Sequence, residues 1–337
     1  MTLNPIAFAR GDQTAAQVAV LCREQIFGRF PTIDIPCDVE QRLATNDVCI
    51  SDFVTALKEC GSGVKISTAT DDDRIHAASL GSANIKLRAA TDVIAMFRMI
   101  DHPKHYEKPS AIMRFGSGGF YSEESCVIFQ EAGEEFARVT SVINVSDLVP
   151  FAKLAMSLAK THGLELRISS KWTIAQSERL FMDRITKVFD DAEVPYQKTL
   201  TDVAFATLAT RHEGGWLWLF DNPNGDSAAD LVDWIDGSRS MCSTVYCLDG
   251  TCYEELPGGT APDKFGTDLT GENFFNPIGI INAFCSALLV VNPTGEDFFA
   301  QVEAAATGYL RCTHPDLYST REMVREIART VSFCISG

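Results

Sequence analysis

The chain has 337 residues, 46% of them hydrophobic, and a formal net charge of −16. That length exceeds an average single core, so two domains are expected. No Lys/Arg run relieves the acidic balance, which argues against binding a nucleic-acid backbone.

Residues 14–27 carry helical apolar spacing. A second helix is expected over 47–60, capped by Asn46 or Asp47 and ended by Gly61. Residues 63–70, GVKISTAT, read as a short strand after a glycine turn. This alternation favours a mainly parallel sheet in an α/β fold. The run 92–101, DVIAMFRMID, is expected to be helical. Ala111 to Phe115 reads as a strand entering the glycine-rich 116–119. Two β-rich runs within 125–143 flank Glu-Ala-Gly-Glu, the mark of a hairpin. Amphipathic helices are expected over 146–161 and 174–192, with the strand LELRISS between them. Trp216 to Phe220 reads as a core strand, Asp221 to Gly225 as a turn, and Asp226 as the opening of a helix. Residues 242–256 are β-rich, and a Gly/Pro loop follows. Helices are expected over 277–291, 297–308 and 319–334.

Eleven cysteines without a CxxC pair fit a reduced cytosolic or organelle-matrix protein better than a disulfide framework or a zinc site. No apolar run reaches about 18 residues, so no membrane span is expected. The first residues, MTLNPIAFARGDQ, lack the apolar core of a secretory signal.

Candidate chemistry centres on 201–233. On a helix, Asp226 and Asp230 share one face. Two close carboxylates repel unless a cation lies between them, and oxygen ligands suit Mg²⁺ or Mn²⁺. The same pair also fits a helix cap followed by a solvated aspartate. Arg88, Arg98 and Arg114 would suit a substrate with several carboxylates, each fork taking one, or three surface positions. Lys171, after a strand, could carry a proton if desolvated, and Tyr121 could supply a phenol. The loop 258–263, GGTAPD, could turn backbone amides toward a phosphate, although no GxGxxG fingerprint is present.

Together these segments resemble the isocitrate/isopropylmalate (β-decarboxylating) dehydrogenase family, most closely its homodimeric eukaryotic-type isocitrate dehydrogenases. The likeness runs through ATND at 44–47, GVKISTAT at 63–70, SxNxxxR at 82–88 and Phe97-Arg98. It continues through Arg114 with Tyr121 seven residues on, Ser170-Lys171-Trp172-Thr173, and TD at 201–202. Gly214-Gly215, NGDSAAD at 224–230, GGTAPD at 258–263 and Asn276-Pro277 complete it.

The resemblance implies that Thr70, Ser82, Asn84, Arg88, Arg98 and Arg114 hold a tricarboxylate. It implies an acid/base pair of Tyr121 and Lys171, the lysine serving a neighbouring subunit. Asp226 and Asp230 are implied as metal ligands, with Asp202 offered from the other copy of a homodimer. Gly259, Thr260, Asp263, Lys264 and Asn276 fall at cofactor-loop positions. The implied reaction is metal-dependent oxidative decarboxylation of isocitrate to 2-oxoglutarate. The implied fold has a large domain, 1–92 with 237–337, with a mainly parallel mixed sheet. A smaller α/β domain covers 93–121 and 145–236, and a reduced clasp hairpin covers 122–144.

Four departures stand out. The span from Tyr121 to Lys171 is short for the family. Gly258 replaces the loop histidine. Asp263 stands where NADP-type members place an arginine, which favours NAD over NADP. Lys264 and Arg211 offer positive charge in the opposite sense. Trp172 replaces a small polar residue near the nicotinamide. Two other readings are a 3-isopropylmalate-type enzyme and a non-catalytic tricarboxylate-binding or regulatory paralogue. The Ser82/Asn84 pair speaks against the first, and the retained Tyr121, Lys171 and aspartates against the second.

Overall fold

The computed structural model describes residues 3–37, 48–69, 82–100, 105–116, 125–140, 142–236, 242–256, 259–312 and 319–335. The first elements are β1 (Ile6–Ala9), α1 (Gln13–Gln25), β2 (Thr32–Ile35), α2 (Val48–Cys60), β3 (Ser62–Lys65) and α3 (Ala83–Ala90). Next come β4 (Val93–Ile100), β5 (Ser110–Phe115), β6 (Ser125–Glu131), β7 (Glu134–Thr140), α4 (Leu148–His162), β8 (Glu165–Ser169) and α5 (Gln176–Asp191). The chain continues with β9 (Tyr196–Thr199), α6 (Thr201–Thr210), β10 (Trp216–Phe220) and α7 (Asn222–Asp236). It ends with β11 (Ser243–Cys247), β12 (Cys252–Glu255), α8 (Ile278–Val291), α9 (Glu296–Cys312) and α10 (Thr320–Ile335). Two compact units emerge. One is Met1–Thr91, Ser240–Thr244 and Asp249–Gly337; the other is Asp92–Arg239 and Val245–Leu248.

In the first unit the strand order is β2-β1-β3-β12, and every pairing is parallel. Parallel strands are covered on both faces, which requires unbroken apolar runs. β1 is Ile-Ala-Phe-Ala, and all four residues are buried. Ile6 and Phe8 join a core with Val18 and Cys22 of α1, Phe284 of α8, Phe299 of α9 and Ile327 of α10. The alternate residues meet α2: a β-carbon at Gly63 would lie 3.1 Å from Ala7 Cβ and 3.2 Å from Phe53 Cζ. The expected strand at 63–70 is confined to β3; past it the Ile66 N–H donates to the Ala9 carbonyl at 3.0 Å, the Ser67 carbonyl accepts the Asp12 N–H at 2.9 Å, and the Ala69 N–H donates to Asp12 Oδ2 at 2.5 Å. Gly61 ends α2 with φ +82°. The four-residue strands β1, β2 and β9 were too short to display a period in the sequence. The segment Gly271–Val291 has a mean hydropathy of 1.9, yet α8 has only 14 residues, most of them in this core.

In the second unit the strand order is β4-β5-β10-β8-β9. β4 and β5 are antiparallel, and the other pairings are parallel. β10, Trp-Leu-Trp-Leu-Phe, is buried throughout. Leu217 and Leu219 enter a core with Phe151 and Ala155 of α4 and Phe181, Ile185 and Phe189 of α5. The alternate residues lie on the other face, where Phe220 meets Phe205 of α6 at 6.1 Å between ring centroids.

Two expected elements are corrected. Residues 92–101 were expected to be helical, but Val93–Ile100 is a strand that pairs with β5 from Ala95↔Phe115 to Ile100↔Ser110. All but Met99 of its residues are buried, and a short apolar run covered on both faces has no diagnostic period. The turn at Asp221–Gly225 is instead the first part of α7, which begins at Asn222. Asp221 caps it: Oδ1 accepts the Asn224 N–H at 2.9 Å. Pro223 is tolerated because the first helical N–H groups have no intrahelical acceptor.

β6 and β7 form the expected hairpin, in register from Ser125↔Thr140 to Glu131↔Glu134. Ala132 and Gly133 turn it with φ of +52° and +84°. Val127, Ile128, Phe136 and Val139 on it are exposed.

Candidate functional site

In the second unit, α7 carries Asp226, Asp230 and Asp233 at helical spacing, one row on one face. The row faces the arginines of β4 and β5. Arg114 Nη1 meets Asp226 Oδ1 at 2.5 Å and Asn222 Oδ1 at 3.4 Å. Arg98 Nη1 meets Asp233 Oδ2 at 2.9 Å and Asp230 Oδ1 at 3.3 Å. Both arginine side chains are 7% exposed, whereas Asp226 is 36% and Asp230 64% exposed. The guanidinium forks are therefore held in the protein, while the two candidate metal ligands reach toward solvent. Gly225 permits the approach, since a β-carbon there would stand 2.2 Å from Arg114 Cβ.

Lys171 lies in the turn between β8 and α5, and its Nζ meets Asp202 Oδ1 at 2.9 Å. The lysine hydrogen bond holds Asp202 below the usual carboxylate range. Asp202 sits in the first turn of α6, where a negative charge also suits the helix dipole. Among the described residues no three His, Cys, Asp or Glu side chains gather as a metal-holding group. One copy thus offers Asp226 and Asp230 together, and Asp202 elsewhere. Two hard carboxylates on one exposed face fit Mg²⁺ or Mn²⁺, but they fill only part of its coordination shell. Trp172 packs against the unit's core, and its carbonyl accepts from Arg179 Nε at 3.1 Å.

In the first unit, Ser82 caps α3, accepting the Ile85 N–H at 3.4 Å. Asn84 Oδ1 accepts from Lys65 Nζ. Arg88 is bridged to Glu255 of β12: Nη2 meets Oε1, and Nε meets Oε2 at 3.3 Å. The candidate cofactor loop docks on the start of α1. Thr260 Oγ1 donates to Gln13 Oε1 at 2.5 Å, the Thr260 carbonyl accepts the Ala15 N–H at 3.3 Å, and Thr14 Oγ1 donates to the Ala261 carbonyl at 2.7 Å. Gln13 takes φ +52° there. Asp263 and Lys264 lie in the single turn Pro262–Lys264. Lys264 Nζ donates to the Phe274 carbonyl at 2.5 Å, and Asn276 Oδ1 accepts the Ile278 N–H at 3.0 Å at the head of α8. Gly259 is exposed. Thr70, Tyr121 and Gly258 lie outside the described residues.

Several residues of the site went unassigned in the sequence reading: Asp233 and Asn222 beside the arginines, Lys65 beside Asn84, and Glu255 beside Arg88. Asp233 carries a readable signal, since it continues the Asp226–Asp230 row by one more helical step. Asn222 stands four residues before Asp226 in the same row but was hidden by the turn expected at 221–225, while Lys65 and Glu255 come from separate strands that no local spacing announces.

The family model for isocitrate/isopropylmalate dehydrogenases matches residues 82–332. The chain belongs to this family. Curated relatives of this family member include the mitochondrial NADP isocitrate dehydrogenase of Candida tropicalis, 24% identical over 97% of this chain and 87% of that one. Another is the cytosolic NADP isocitrate dehydrogenase of Arabidopsis thaliana, 26% identical over 90% of this chain and 87% of that one. In fold, the family member is similar to isocitrate dehydrogenase from Ostreococcus tauri, solved in complex with isocitrate and magnesium(II). That match has a TM-score of 0.81 and 20% identity, covering 98% of this chain and all of that one. A β-decarboxylating dehydrogenase from Thermococcus kodakarensis matches with a TM-score of 0.77 and 20% identity, over 99% and 98% of the two chains. The fold is that of isocitrate/isopropylmalate dehydrogenases, α/β with a parallel sheet in one unit and a mixed sheet in the other.

Proposed function

We propose that the protein catalyses metal-dependent oxidative decarboxylation of isocitrate to 2-oxoglutarate with reduction of a nicotinamide dinucleotide. The observation that carries this reading is the opposition of two buried arginines to the acid row of α7. Arg98 and Arg114 present fixed forks that a polycarboxylate can engage, and each is already paired with a carboxylate that it can exchange for the substrate's. Asp226 and Asp230 would hold a divalent ion, with Asp202 of a second copy as a further ligand. A bound Mg²⁺ or Mn²⁺ would supply Lewis acidity to the substrate's hydroxyl and adjacent carboxylate. A base, Lys171 or Asp202 of the second copy, takes the hydroxyl proton. Tyr121 keeps the role implied by resemblance, returning a proton to the carbon left by CO₂. Shared ligands make a homodimer the working assembly, in the cytoplasm or a mitochondrial matrix.

Nucleotide choice departs from the sequence expectation. The curated relatives are NADP enzymes, which argues against the NAD preference drawn from Asp263. NADP is the proposed partner, and Lys264, beside Asp263, and Arg211 of a neighbouring copy supply the positive charge.

The test is reduced-nicotinamide absorbance with isocitrate and Mg²⁺ or Mn²⁺, run separately with NAD and NADP, and again with 3-isopropylmalate. Turnover of isocitrate with NADP is expected. Isocitrate binding without turnover on either nucleotide would leave the non-catalytic reading.

A further inference from the structure

Glu178 lies in the first turn of α5, behind Lys171. Its Oε2 accepts the backbone N–H of Lys171 at 2.9 Å, seven residues back along the chain. Its carbonyl accepts the Ser170 hydroxyl at 3.1 Å. The Lys171 carbonyl in turn accepts the N–H groups of Ile174 at 2.9 Å and Ala175 at 3.1 Å. The backbone of Lys171 is thus held at both its donor and its acceptor. Only the lysine side chain is left to vary, and its Nζ reaches Asp202.

The same carboxyl has a second partner. The Glu178 side chain hydrogen-bonds the carboxyl of Asp221, the cap of α7. Two carboxyls can bond directly only through a shared proton, because an ionised carboxylate is an acceptor without a donor. Asp221 already accepts the Asn224 N–H at 2.9 Å on Oδ1 and Asn224 Nδ2 at 2.7 Å on Oδ2. The shared proton is therefore carried by Glu178. Burial, then the negative charge of Asp221, pushes the Glu178 carboxyl up to about 7. The Lys171 N–H and the Lys171 charge pull the other way without prevailing. Asp221 on the α7 side and Lys171 on the loop side are the charged groups acting on it.

We propose that the Glu178–Asp221 pair is the positioning element of Lys171, one shared proton tying the first turn of α5 to the cap of α7. The inference rests on the reading of Lys171 as an acid/base group. α7 bears Asp226 and Asp230 on its next turns, so the proton bridge ties the loop that would serve the neighbouring copy's site to the helix that would serve this copy's own. When that proton leaves, two negative charges stand in contact, the bridge opens, and Glu178 no longer holds both the helix cap and the Lys171 N–H.

The experiment follows the Lys171 amide by ¹⁵N–¹H NMR from pH 5.5 to 8.5, together with the pH profile of kcat under saturating isocitrate and Mn²⁺. The proteins are wild type, Glu178→Gln and Glu178→Ala. Glutamine can donate to Asp221 and accept from Lys171, so it mimics the bridged state without titrating. In the wild type the Lys171 amide shift is expected to move with a midpoint near 7, as Glu178 ionises, and kcat to show the same ionisation. Glu178→Gln removes both transitions. Glu178→Ala lowers kcat about tenfold with little change in the KM for isocitrate, and glutamine at 178 restores most of that loss.

An amide shift that stays flat across the range would overturn the shared proton. An amide that titrates while the kcat profile is identical in wild type and Glu178→Gln would overturn the positioning role. If no protein turns over isocitrate with either nucleotide but the amide titrates only in the wild type, the proton bridge stands and the proposed reaction falls.

Discussion

Gly225 and Arg114 are in backbone-to-side-chain contact: a β-carbon at 225 would stand 2.2 Å from Arg114 Cβ and 3.2 Å from its Cα. That closeness seats α7 on β5 and brings Asp226, the next residue, onto the Arg114 guanidinium. Gly225→Ala is expected to push the helix off the strand. The cost is about 1–3 kcal/mol of stability, as for other overpacked sites. Urea unfolding measures this, and the KM for isocitrate should rise as Arg114 and Asp226 lose register. An alanine variant with wild-type midpoint and KM would show that the helix has room to spare.

Asp226 reaches solvent beside an arginine that does not. Asp226→Asn keeps the shape but removes the charge that a divalent ion needs. Metal-dependent turnover is expected to fall about 100-fold or more, since even outer-shell partners of metal sites are worth 10–100-fold. The apparent Kd for Mn²⁺ should rise in parallel. Near-normal activity in this variant would remove Asp226 from the site.

Much of this arrangement could be read from the chain, for physical reasons that differ by element. α5 shows a clear amphipathic stripe, with Phe181, Met182, Ile185 and Phe189 buried. The 125–143 hairpin announced itself through its turn residues. β4 did not, because its eight residues are apolar almost throughout and contain only Arg98 as a polar marker. The α7 start was misplaced because Asn-Pro-Asn-Gly is ordinary turn composition. Here Asp221 caps a helix, and the glycine serves a packing contact. Asp226, Asp230, Arg98 and Arg114 were named as candidates from spacing, but their pairing needed two strands brought beside one helix. Glu178 and Asp221, 43 residues apart in sequence, left no signal at all.

In the proposed reading, cofactor choice rests with the short turn that carries Asp263 and Lys264. Lys264 donates to the Phe274 carbonyl, and Asp263 stands beside it in the turn. Asp263→Arg is expected to raise kcat/KM for NADP relative to NAD by roughly tenfold, the scale of one added charge-assisted pair of about 1.4 kcal/mol. Steady-state kinetics with each nucleotide at fixed isocitrate give the ratio. An unchanged ratio would place the choice in another residue.

The β6–β7 hairpin exposes Val127 at 53%, Ile128 at 66%, Phe136 at 41% and Val139 at 51%. An isolated two-stranded ribbon with that much apolar surface is marginal in water. A second copy of the chain covers it under the proposed homodimer. Ile128→Lys is expected to weaken the dimer, seen as a monomer fraction in sedimentation at micromolar protein, and to lower specific activity as concentration falls. Ile128 sits on the ribbon's surface, so the monomer should still fold by circular dichroism. A fully dimeric, fully active lysine variant would move the interface elsewhere.

Glu254 is buried in β12, where Thr244 Oγ1 donates to its Oε1 at 2.8 Å. Burial pushes its carboxyl up from 4.5 to about 7, against the hydrogen bonds from Thr244 and Cys242. Between those values the folded state holds a proton that the unfolded chain has released. Stability therefore falls as pH rises through this window, and the contribution present below the unfolded value is lost above the folded one. The shift corresponds to at most about 3 kcal/mol. Glu254→Gln keeps the shape and cannot ionise, so its urea midpoint should decline less than that of the wild type between pH 5 and pH 8. Glu178 titrates over the same range in both proteins, so the difference between the two slopes isolates Glu254. Parallel slopes would mean that Glu254 enters the folded state already charged, with Thr244 and Cys242 sufficient to hold it.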